Sequence, residues 1–487
     1  MNAASKRLAA SRPLATWLSK DMRRWVYAIK VFGAAMLALY IALALGLSRP
    51  YWAVATVYLV SSPLTGATRS KGLYRVAGTL LGAAAAVGMV PTLVNEPVVL
   101  MAAISLWAGA MLYLSLLEPS PRSYVFLLAA YTLPIVALPA VSDPASIFDV
   151  ALLRVEEIVI GIVCASMVSA LILPSNIAPE LEERFAGWVA QAQAWTTGIP
   201  MDRIDSHTRI ERHRKLTAEL HTIRTLMAQA AHESGNKRTL ARGAALQMRL
   251  QEMLQALEAH GMADPAAANA PYAPRDAATP SIPAALRDHR RMLVQSASAA
   301  TATFLAGALW MLSGWIDGAG AVSLAALTAC FVSTLDVPRH AVRRVLLSSV
   351  ACLLLACFYQ FVVLPNAIDF LSLVCLFAIP YLCIGFLMTR PDFGITGVLL
   401  AVTTASFANV QQIYEANFAD LFNTSLAASA GILFAAAWVV IARPLGNNGA
   451  PKAGRRGMGT ASVARPTAAA RVQAKTPTVR EASHADE

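Results

Sequence analysis

The chain of 487 residues is 56% hydrophobic and 14% charged, whereas ordinary soluble domains are about a quarter charged. This composition excludes a purely soluble protein and favours a polytopic membrane protein. The net charge of +11 lies mostly at the two ends of the chain, with seven Lys and Arg in residues 1–30 and seven in residues 445–487. Charge that flanks apolar spans follows membrane orientation, so nucleic-acid binding is not expected.

The sequence has no recognisable metal, cofactor or catalytic motif. Its six cysteines lie in apolar stretches without a CxxC pair, and its eight histidines lack a zinc-type spacing. A GxxxxGK[ST] loop for nucleotide phosphates and a G-x-S-x-G nucleophile turn are also missing. We therefore expect a protein that is not an enzyme, with neither a cofactor nor a bound metal.

Apolar spans of membrane-crossing length occur in two sets of six. Basic residues dominate alternate connections, which predicts that both termini and the segment 175–290 are cytoplasmic. The predicted spans are 29–47, 52–64, 74–91, 97–117, 124–142 and 151–173 in the first set, and 293–313, 319–335, 343–364, 368–388, 395–410 and 421–442 in the second.

The ends of the two sets match. Arg75-Val76 aligns with Arg344-Val345 at a shift of 269 residues, and Pro174 aligns with Pro444 at a shift of 270. Six spans return the chain to the same side of the membrane, so the two copies run in the same direction. The predicted fold class is therefore all-α: a polytopic membrane protein with two parallel six-helix transmembrane repeats and a cytoplasmic helical insert between them.

This organisation predicts five regions. Residues 1–25 form a basic cytoplasmic N-terminus, 26–174 the first transmembrane repeat, 175–290 a helical hairpin with a Pro/Ala linker, 291–443 the second repeat, and 444–487 a disordered cytoplasmic tail. The hairpin is predicted from apolar residues at helical spacing on two segments. These residues are Leu216, Leu220, Ile223 and Met227, then Leu246, Leu250, Met253 and Leu257.

Two short spans end in similar interrupted segments. The second span ends in residues 61–66, which contain Pro63, and its counterpart ends in residues 333–338, which contain Pro338. Paired interruptions of this kind indicate the binding site in transporters whose helices are broken. An ordinary helix end followed by proline gives the same pattern, so both interpretations stay open.

Ionisable residues near the span ends are the candidate functional groups. A charge at the bilayer centre costs about 2.5–3.5 kcal/mol, so a charge inside the membrane should pair or line a wet cavity, whereas a charge at the surface can snorkel. Guanidinium groups match the geometry of a carboxylate. The candidates for anion binding are Arg75, Arg122, Arg154, Arg344 and Arg390; those for proton coupling are Glu157, expected one turn inside the sixth span, Glu118 and Asp336.

Aromatic and small residues suggest structural roles. Tyr51, Trp52, Trp310, Trp315 and Tyr381 lie near span ends and are predicted to anchor at lipid headgroups. Trp107 and Tyr113 lie deeper in their span, and for these two a contact with the substrate stays open as an alternative role. The Gly78 to Gly82 segment predicts close helix packing.

Three segments together resemble a known family. They are Pro50-Tyr51-Trp52, Arg75-Val76-Ala77-Gly78-Thr79-Leu80-Leu81-Gly82, and Arg154 with Glu157 and Gly161 before Pro174. This pattern resembles the fusaric acid resistance family, which includes aromatic-acid exporters of Gram-negative inner membranes. The resemblance covers residues 20–175 well and residues 290–443 more loosely.

The resemblance implies efflux of aromatic carboxylic acids or related toxic organic anions, fusaric acid or hydroxybenzoate among them, across the inner membrane with proton coupling. It also implies a periplasmic membrane-fusion protein and an outer-membrane channel as partners, beside the small organic acid and the bilayer; a homo-oligomer stays open. Two other functions stay open from the residues. They are an uncoupled organic-anion channel that uses the same arginines, and a membrane scaffold that acts through the hairpin at 210–260.

Overall fold

A computed structural model describes residues 20–118, 120–174, 177–197, 215, 219–220, 222–230, 289–334, 351, 354–355, 357–390, 393–408, 410–411 and 417–447. Within these ranges every regular element is helical and none is a strand. The prediction of an all-α protein is confirmed for this part of the chain.

The first seven helices follow one another with short connections. They are α1 (Lys20–Ala44), α2 (Tyr51–Val60), α3 (Thr65–Leu93), α4 (Pro97–Leu117), α5 (Ser123–Ala137), α6 (Ile147–Leu171) and α7 (Ile177–Thr197). Two 3₁₀ turns, Leu138–Ala140 and Pro144–Ser146, lie between α5 and α6.

The later part of the described chain has five helices: α8 (His289–Ser313), α9 (Gly318–Thr334), α10 (Phe370–Met388), α11 (Gly394–Ala408) and α12 (Phe418–Asn447). A π-helical turn, Tyr359–Val363, and a 3₁₀ turn, Leu364–Asn366, precede α10. Half of the predicted span 343–364 lies outside the described residues, including all of 343–350.

Seven of the described helices are long and apolar enough to cross a bilayer, namely α1, α3, α4, α5 with its 3₁₀ extension, α8, α10 and α12. The apolar helices α2 and α9 are shorter. Helix α6 has 25 residues, but charged side chains interrupt its apolar sequence. The chain is therefore a multi-pass membrane protein.

Two helices begin earlier than their predicted spans. Helix α3 begins at Thr65 and not at 74, because basic side chains end an apolar run without breaking a helix. Helix α6 begins at Ile147 and not at 151. Arg75 and Glu157 therefore each lie ten residues from the start of their helix, which is about three turns and deeper than expected.

Small residues bring the helices of the first half together. A Cβ atom added at Gly78 of α3 would lie 2.6 Å from the carbonyl oxygen of Val125 in α5, and one at Gly82 would lie 2.7 Å from Cβ of Thr132. The prediction that this segment serves helix packing is confirmed. Helix α3 packs against both α5 and α6.

Helices α8 to α11 have their most extensive contacts with the first half in four places. Helix α1 contacts α10, α2 contacts α11, α4 contacts α8, and α5 contacts α9. Hydrogen bonds between described residues also join these parts of the chain. They run from Tyr58 Oη to the Tyr381 carbonyl (3.1 Å), from Ser323 Oγ to the Pro134 carbonyl (3.2 Å), and between Tyr113 Oη and His289 Nδ1 (3.0 Å).

Part of the segment between α6 and α8 is also described. Leu181, Phe185 and Trp188 of α7 pack against Ile223 and Leu226 in the helical residues 222–230. Apolar side chains at helical spacing thus give this segment a small core of its own. The second predicted arm of the hairpin, at 246–257, and the tail from 448 lie outside the described residues, as do residues 1–19.

Candidate functional site

Arg154 and Glu157 form a buried pair of opposite charges on α6. Their spacing of three residues puts both side chains on one face of the helix. Arg154 Nη1 lies 3.7 Å from Glu157 Oε2, and the two residues are 6% and 1% exposed. The charges attract each other at this distance, but it is too long for a hydrogen bond between those two atoms.

The connection between α1 and α2 holds the other oxygen of Glu157. The backbone N–H of Arg49 donates to Glu157 Oε1 at 2.9 Å. The connection can turn tightly because Gly46 has a φ of +70°. Arg49 therefore contacts the acidic side chain of Glu157 through its main chain.

Trp52 covers Arg154 from α2. The Arg154 Cζ atom lies 3.9 Å from the centroid of the indole ring, a cation–π contact. Helices α2 and α6 can approach this closely because of Gly161, where an added Cβ would lie 2.6 Å from the Ala53 carbonyl oxygen. Trp52 and Arg154 are thus positioned by the packing of a short helix on a glycine.

Three buried polar atoms around this pair lack hydrogen-bond partners within the described part of the chain: Arg154 Nη1, Trp52 Nε1 and Thr56 Oγ1. We call these three residues the Arg154 site. The guanidinium and indole nitrogens can only donate. A buried donor without a partner costs about 1–3 kcal/mol, so the group that suits this site is an acceptor, and an anion above all.

An aromatic pocket adjoins the Arg154 site, between α1, α2, α10 and α11. Its rings are those of Tyr51, Phe377 and Tyr381, with Met36 and Leu39 among its aliphatic lining, and its cavity volume is about 10 Å³, room for about one water molecule. Tyr51 is the chain neighbour of Trp52, so the pocket and the donors share one turn of α2. An apolar pocket with a few polar groups is typical of a small-molecule site.

Arg75 lies close to this region, on α3. The hydroxyls of Tyr124 and Tyr131 on α5 lie near its guanidinium, and it is near enough to Arg154 for the two cations to repel each other. Arg75 is 2% exposed. The structure therefore brings three of the predicted site residues, Arg75, Arg154 and Glu157, into one region.

The other described candidates lie at helix ends. Glu118 follows α4 and its Oε1 accepts from the Ser120 backbone N–H at 3.1 Å. Arg122 is exposed before α5, and Arg390 is exposed after α10 with its Cζ 5.4 Å from the centroid of the Phe386 ring. Their exposure at helix ends favours the interpretation that Arg122 and Arg390 snorkel to the membrane surface. Arg344, Asp336 and Pro338 lie outside the described residues.

The first predicted interruption is present as an extended segment. Helix α2 ends at Val60, and Pro63 is exposed in the stretch before α3. Thr68 Oγ1 accepts a hydrogen bond from the Ser62 backbone N–H at 3.0 Å and lies 3.3 Å from the Ser62 carbonyl oxygen. These contacts hold the segment against the first turn of α3. The matching segment after α9 lies beyond the described residues, so the pairing of the two interruptions stays a prediction.

The sequence model of the fusaric acid resistance protein family matches residues 24–268 and 237–456. The chain belongs to this family.

Curated relatives within the family carry transport names. YdhK of Escherichia coli K12, named an uncharacterized transporter, is 37% identical over 162 residues, which are 33% of this chain and 24% of that protein. AaeB of Edwardsiella ictaluri, named a p-hydroxybenzoic acid efflux pump subunit, is 25% identical over 453 residues, which are 77% of this chain and 70% of that protein. AaeB of Citrobacter koseri is 33% identical over 177 residues, 34% of this chain and 27% of that protein.

The sequence of this family member predicts Tyr51, Trp52 and Tyr381 at the lipid headgroups, and all three lie in or beside the site. Tyr381 was expected at the lipid headgroups, but it is 2% exposed and lies in the pocket, so that prediction is wrong. Trp107 donates from Nε1 to the Ala129 carbonyl at 2.9 Å, a tie between α4 and α5. The one signal for Trp52 was its place in the Pro50-Tyr51-Trp52 segment at the start of a short helix.

Proposed function

We propose that this protein is an inner-membrane efflux transporter for aromatic carboxylic acids such as p-hydroxybenzoate. The observation that carries the proposal is the aromatic pocket beside the three unpartnered donors of the Arg154 site. The aromatic ring of the cargo occupies the pocket when the helices on its two sides move apart, and its carboxylate accepts from Arg154 and Trp52. The family and the names of the AaeB relatives support this substrate class.

The chemistry of the two regions suits a molecule with one apolar and one anionic end. Aromatic pairs contribute about 0.5–1.5 kcal/mol beyond the area they bury, which favours a flat ring between Tyr51 and Phe377. A carboxylate has acceptor oxygens only and fits a guanidinium that lacks a hydrogen-bonded partner at Nη1. A neutral aromatic molecule would leave those donors unpaired, so the site discriminates against it.

Glu157 is the protonatable group that sets the affinity of the Arg154 site for its cargo in this proposal. The cargo carboxylate and the Glu157 carboxylate compete for Arg154, because one buried guanidinium balances only one negative charge. Protonation of Glu157 therefore releases Arg154 for the cargo. The other ionisable groups near the pair are Arg49, Tyr51, Arg75 and Glu156.

Two equivalent six-helix halves that rock against each other give the cargo access to alternate sides. Reciprocal contacts support this arrangement: α1 with α10 mirrors α8 with α4, and α2 with α11 mirrors α9 with α5, when the predicted span 343–364 is counted as the third of its half. Such reciprocity is expected of two copies related by a two-fold axis. The axis lies along the membrane normal, as the sequence shift of 269–270 residues predicts.

The remaining features of the proposal concern orientation and assembly. Basic residues in alternate connections support cytoplasmic termini and a cytoplasmic segment at 175–290. The word "subunit" in the name of AaeB supports an assembly with further proteins, and we propose a periplasmic membrane-fusion protein and an outer-membrane channel in that role.

Transport in everted membrane vesicles tests the proposal. Vesicles that contain the protein should accumulate labelled p-hydroxybenzoate when a proton gradient is imposed, and Arg154→Gln should reduce the initial rate to that of empty vesicles. Arg23→Gln, an exposed arginine at the start of α1, is the matched control and should transport normally. A wild-type rate equal to that of empty vesicles would refute the export function. Large currents that do not depend on the gradient would indicate a channel instead.

A further inference from the structure

We propose that Arg75 forms a second carboxylate-binding site, separate from the Arg154 site, through which the cargo passes. The inference rests on the proposed function and deepens it. We call this second group the Arg75 site and define it by Arg75, Thr79, Tyr124 and Tyr131. It lies where α3 packs on α5, the helix that contacts α9.

The Arg75 site contains its own set of buried donors without partners. Arg75 Nε and Nη1 lack hydrogen-bond partners within the described ranges, and so does Thr79 Oγ1. Thr79 follows Arg75 by four residues, so the two side chains lie on the same face of α3. Both are almost fully buried, at 2% and 1% exposure. Three buried donors without partners therefore lie on one face of α3.

The behaviour of Thr79 differs from that of other helical threonines in this protein. A threonine in a helix commonly donates to the carbonyl four residues earlier. Thr92 Oγ1 does so to Gly88 at 2.9 Å, and Thr303 Oγ1 does so to Ala299 at 2.9 Å. Because Thr79 Oγ1 has no such bond, its hydroxyl is available to a bound group.

The buried cation of Arg75 also has no carboxylate partner among the described residues. Arg154 pairs with Glu157, but no carboxylate of the described residues lies within salt-bridge distance of Arg75. The hydroxyls of Tyr124 and Tyr131 near Arg75 are neutral. A buried, uncompensated cation within a membrane-spanning helix is costly and marks a functional site. A carboxylate supplies both the missing charge and the missing acceptors.

The surroundings of the Arg75 site suit an aromatic carboxylate. The ring of Tyr131 packs against that of Phe331 on α9, with centroids 5.6 Å apart. The site therefore lies at a contact that opens if the two halves move apart. Gly78, three residues after Arg75 and directly before Thr79, keeps α3 and α5 close enough for Tyr124 and Tyr131 to lie near the guanidinium.

Two neighbouring sites of moderate strength suit transport better than one strong site. A cargo must bind well enough to enter and weakly enough to leave, and passage between adjacent sites meets both conditions. Arg75 and Arg154 are near enough to repel each other. A carboxylate that leaves one guanidinium is therefore attracted at once by the next.

Equilibrium binding of labelled p-hydroxybenzoate to the purified protein in lipid nanodiscs tests the inference. The wild type should bind two molecules, Arg75→Gln one, Arg154→Gln one, and the double variant none. Arg23→Gln should bind two. Each variant is first checked for a monodisperse elution and a thermal transition like that of the wild type.

The pattern of losses separates this inference from the proposed function. If the wild type binds one molecule and only Arg154→Gln abolishes it, the Arg75 site is refuted and the pocket stands. If only Arg75→Gln abolishes that one molecule, the Arg75 site stands and the pocket is refuted. No binding to a folded wild type refutes both.

Two milder variants cover the case in which Arg75→Gln does not fold. Thr79→Val keeps the side-chain volume, and Tyr131→Phe keeps the ring against Phe331; each removes one hydroxyl. In the Arg154→Gln background each should weaken the remaining binding by about threefold to tenfold, the effect of one hydrogen bond. Unchanged affinity in both variants would overturn the inference.

Discussion

Helices α6 and α12 use the same packing device but carry different side chains. Gly161 of α6 lies against the Ala53 carbonyl of α2, and Gly431 of α12 lies against the Ala321 carbonyl of α9. When the two glycines are aligned, at a shift of 270 residues, Arg154 corresponds to Thr424 and Glu157 to Ala427. The close helix contact is present twice, whereas the ion pair is present once.

The partner helices differ in the same way. At the shift of 268 residues that aligns Ala53 with Ala321, Trp52 of α2 corresponds to Gly320 of α9. Helix α9 has no ring to cover a cation at that position. Charge in a membrane is expensive, so a fold built from similar halves needs it only where it does chemistry. We infer that the second half contributes walls to the site, Phe377 and Tyr381 among them, and the first half its charges.

The largest expected effect comes from making α6 resemble α12. Replacement of Arg154 by Thr and Glu157 by Ala in one protein should abolish p-hydroxybenzoate transport, because the pocket keeps its rings but loses its cation. Initial rates in vesicles measure this loss. Persistent transport in the double variant would mean that the difference between the two helices has no functional meaning.

The stability of the same variants sharpens the comparison. Glu157→Ala alone leaves a buried guanidinium without its counter-charge and should cost about 3–5 kcal/mol, whereas the double variant should be close to the wild type. Thermal unfolding in detergent at fixed protein concentration compares them. A double variant less stable than Glu157→Ala would contradict this account of the pair.

Cargo binding should depend on pH through Glu157. Protonation of Glu157 frees Arg154, so p-hydroxybenzoate should bind up to about tenfold more tightly for each unit by which the pH falls in the range where Glu157 titrates and the cargo stays ionised. Glu157→Gln mimics the protonated form and should bind with an affinity that does not vary with pH. Binding isotherms across a pH series measure both. If the affinity of Glu157→Gln changed with pH as steeply as that of the wild type, a group other than Glu157 would be responsible for the pH dependence.

The shared glycine contact should matter equally in both halves. Gly161→Ala and Gly431→Ala each push a methyl group into a neighbouring backbone, and each should destabilise the protein by about 1–3 kcal/mol. Gly33→Ala and Gly88→Ala are the controls, because an added Cβ there meets nothing within 4 Å. These two should stabilise their helices by about 0.5–1 kcal/mol. Thermal unfolding measures these changes. A clear difference in stability between Gly161→Ala and Gly431→Ala would contradict the proposed equivalence of the two halves.

The sequence predicts parts of this picture because they are local. Apolar runs give most helices, and Arg154 and Glu157 stand out as charges in an apolar stretch. The helix starts at Thr65 and Ile147 are missed because polar or charged side chains near the start of each helix interrupt its apolar run. Contacts between distant segments are missed as well: Tyr58 and Tyr381 are 323 residues apart in the chain, and only the packing of α2 on α10 brings them together.

The smallest expected effect concerns the start of α10, which can be compared with the start of α4. Asp369 caps α10 by accepting the Ser372 N–H at 2.8 Å, whereas Glu96 precedes α4 without a side-chain cap bond. The Ser372 backbone amide, together with its hydroxyl, lowers the pKa of Asp369, so this cap stabilises the fold at neutral pH and is lost as the pH falls through that lowered value. Asp369→Ala should therefore lower the unfolding temperature slightly at pH 7, and Glu96→Ala should not. The difference should vanish in strong acid, where Asp369 is protonated and its charge no longer favours the helix start.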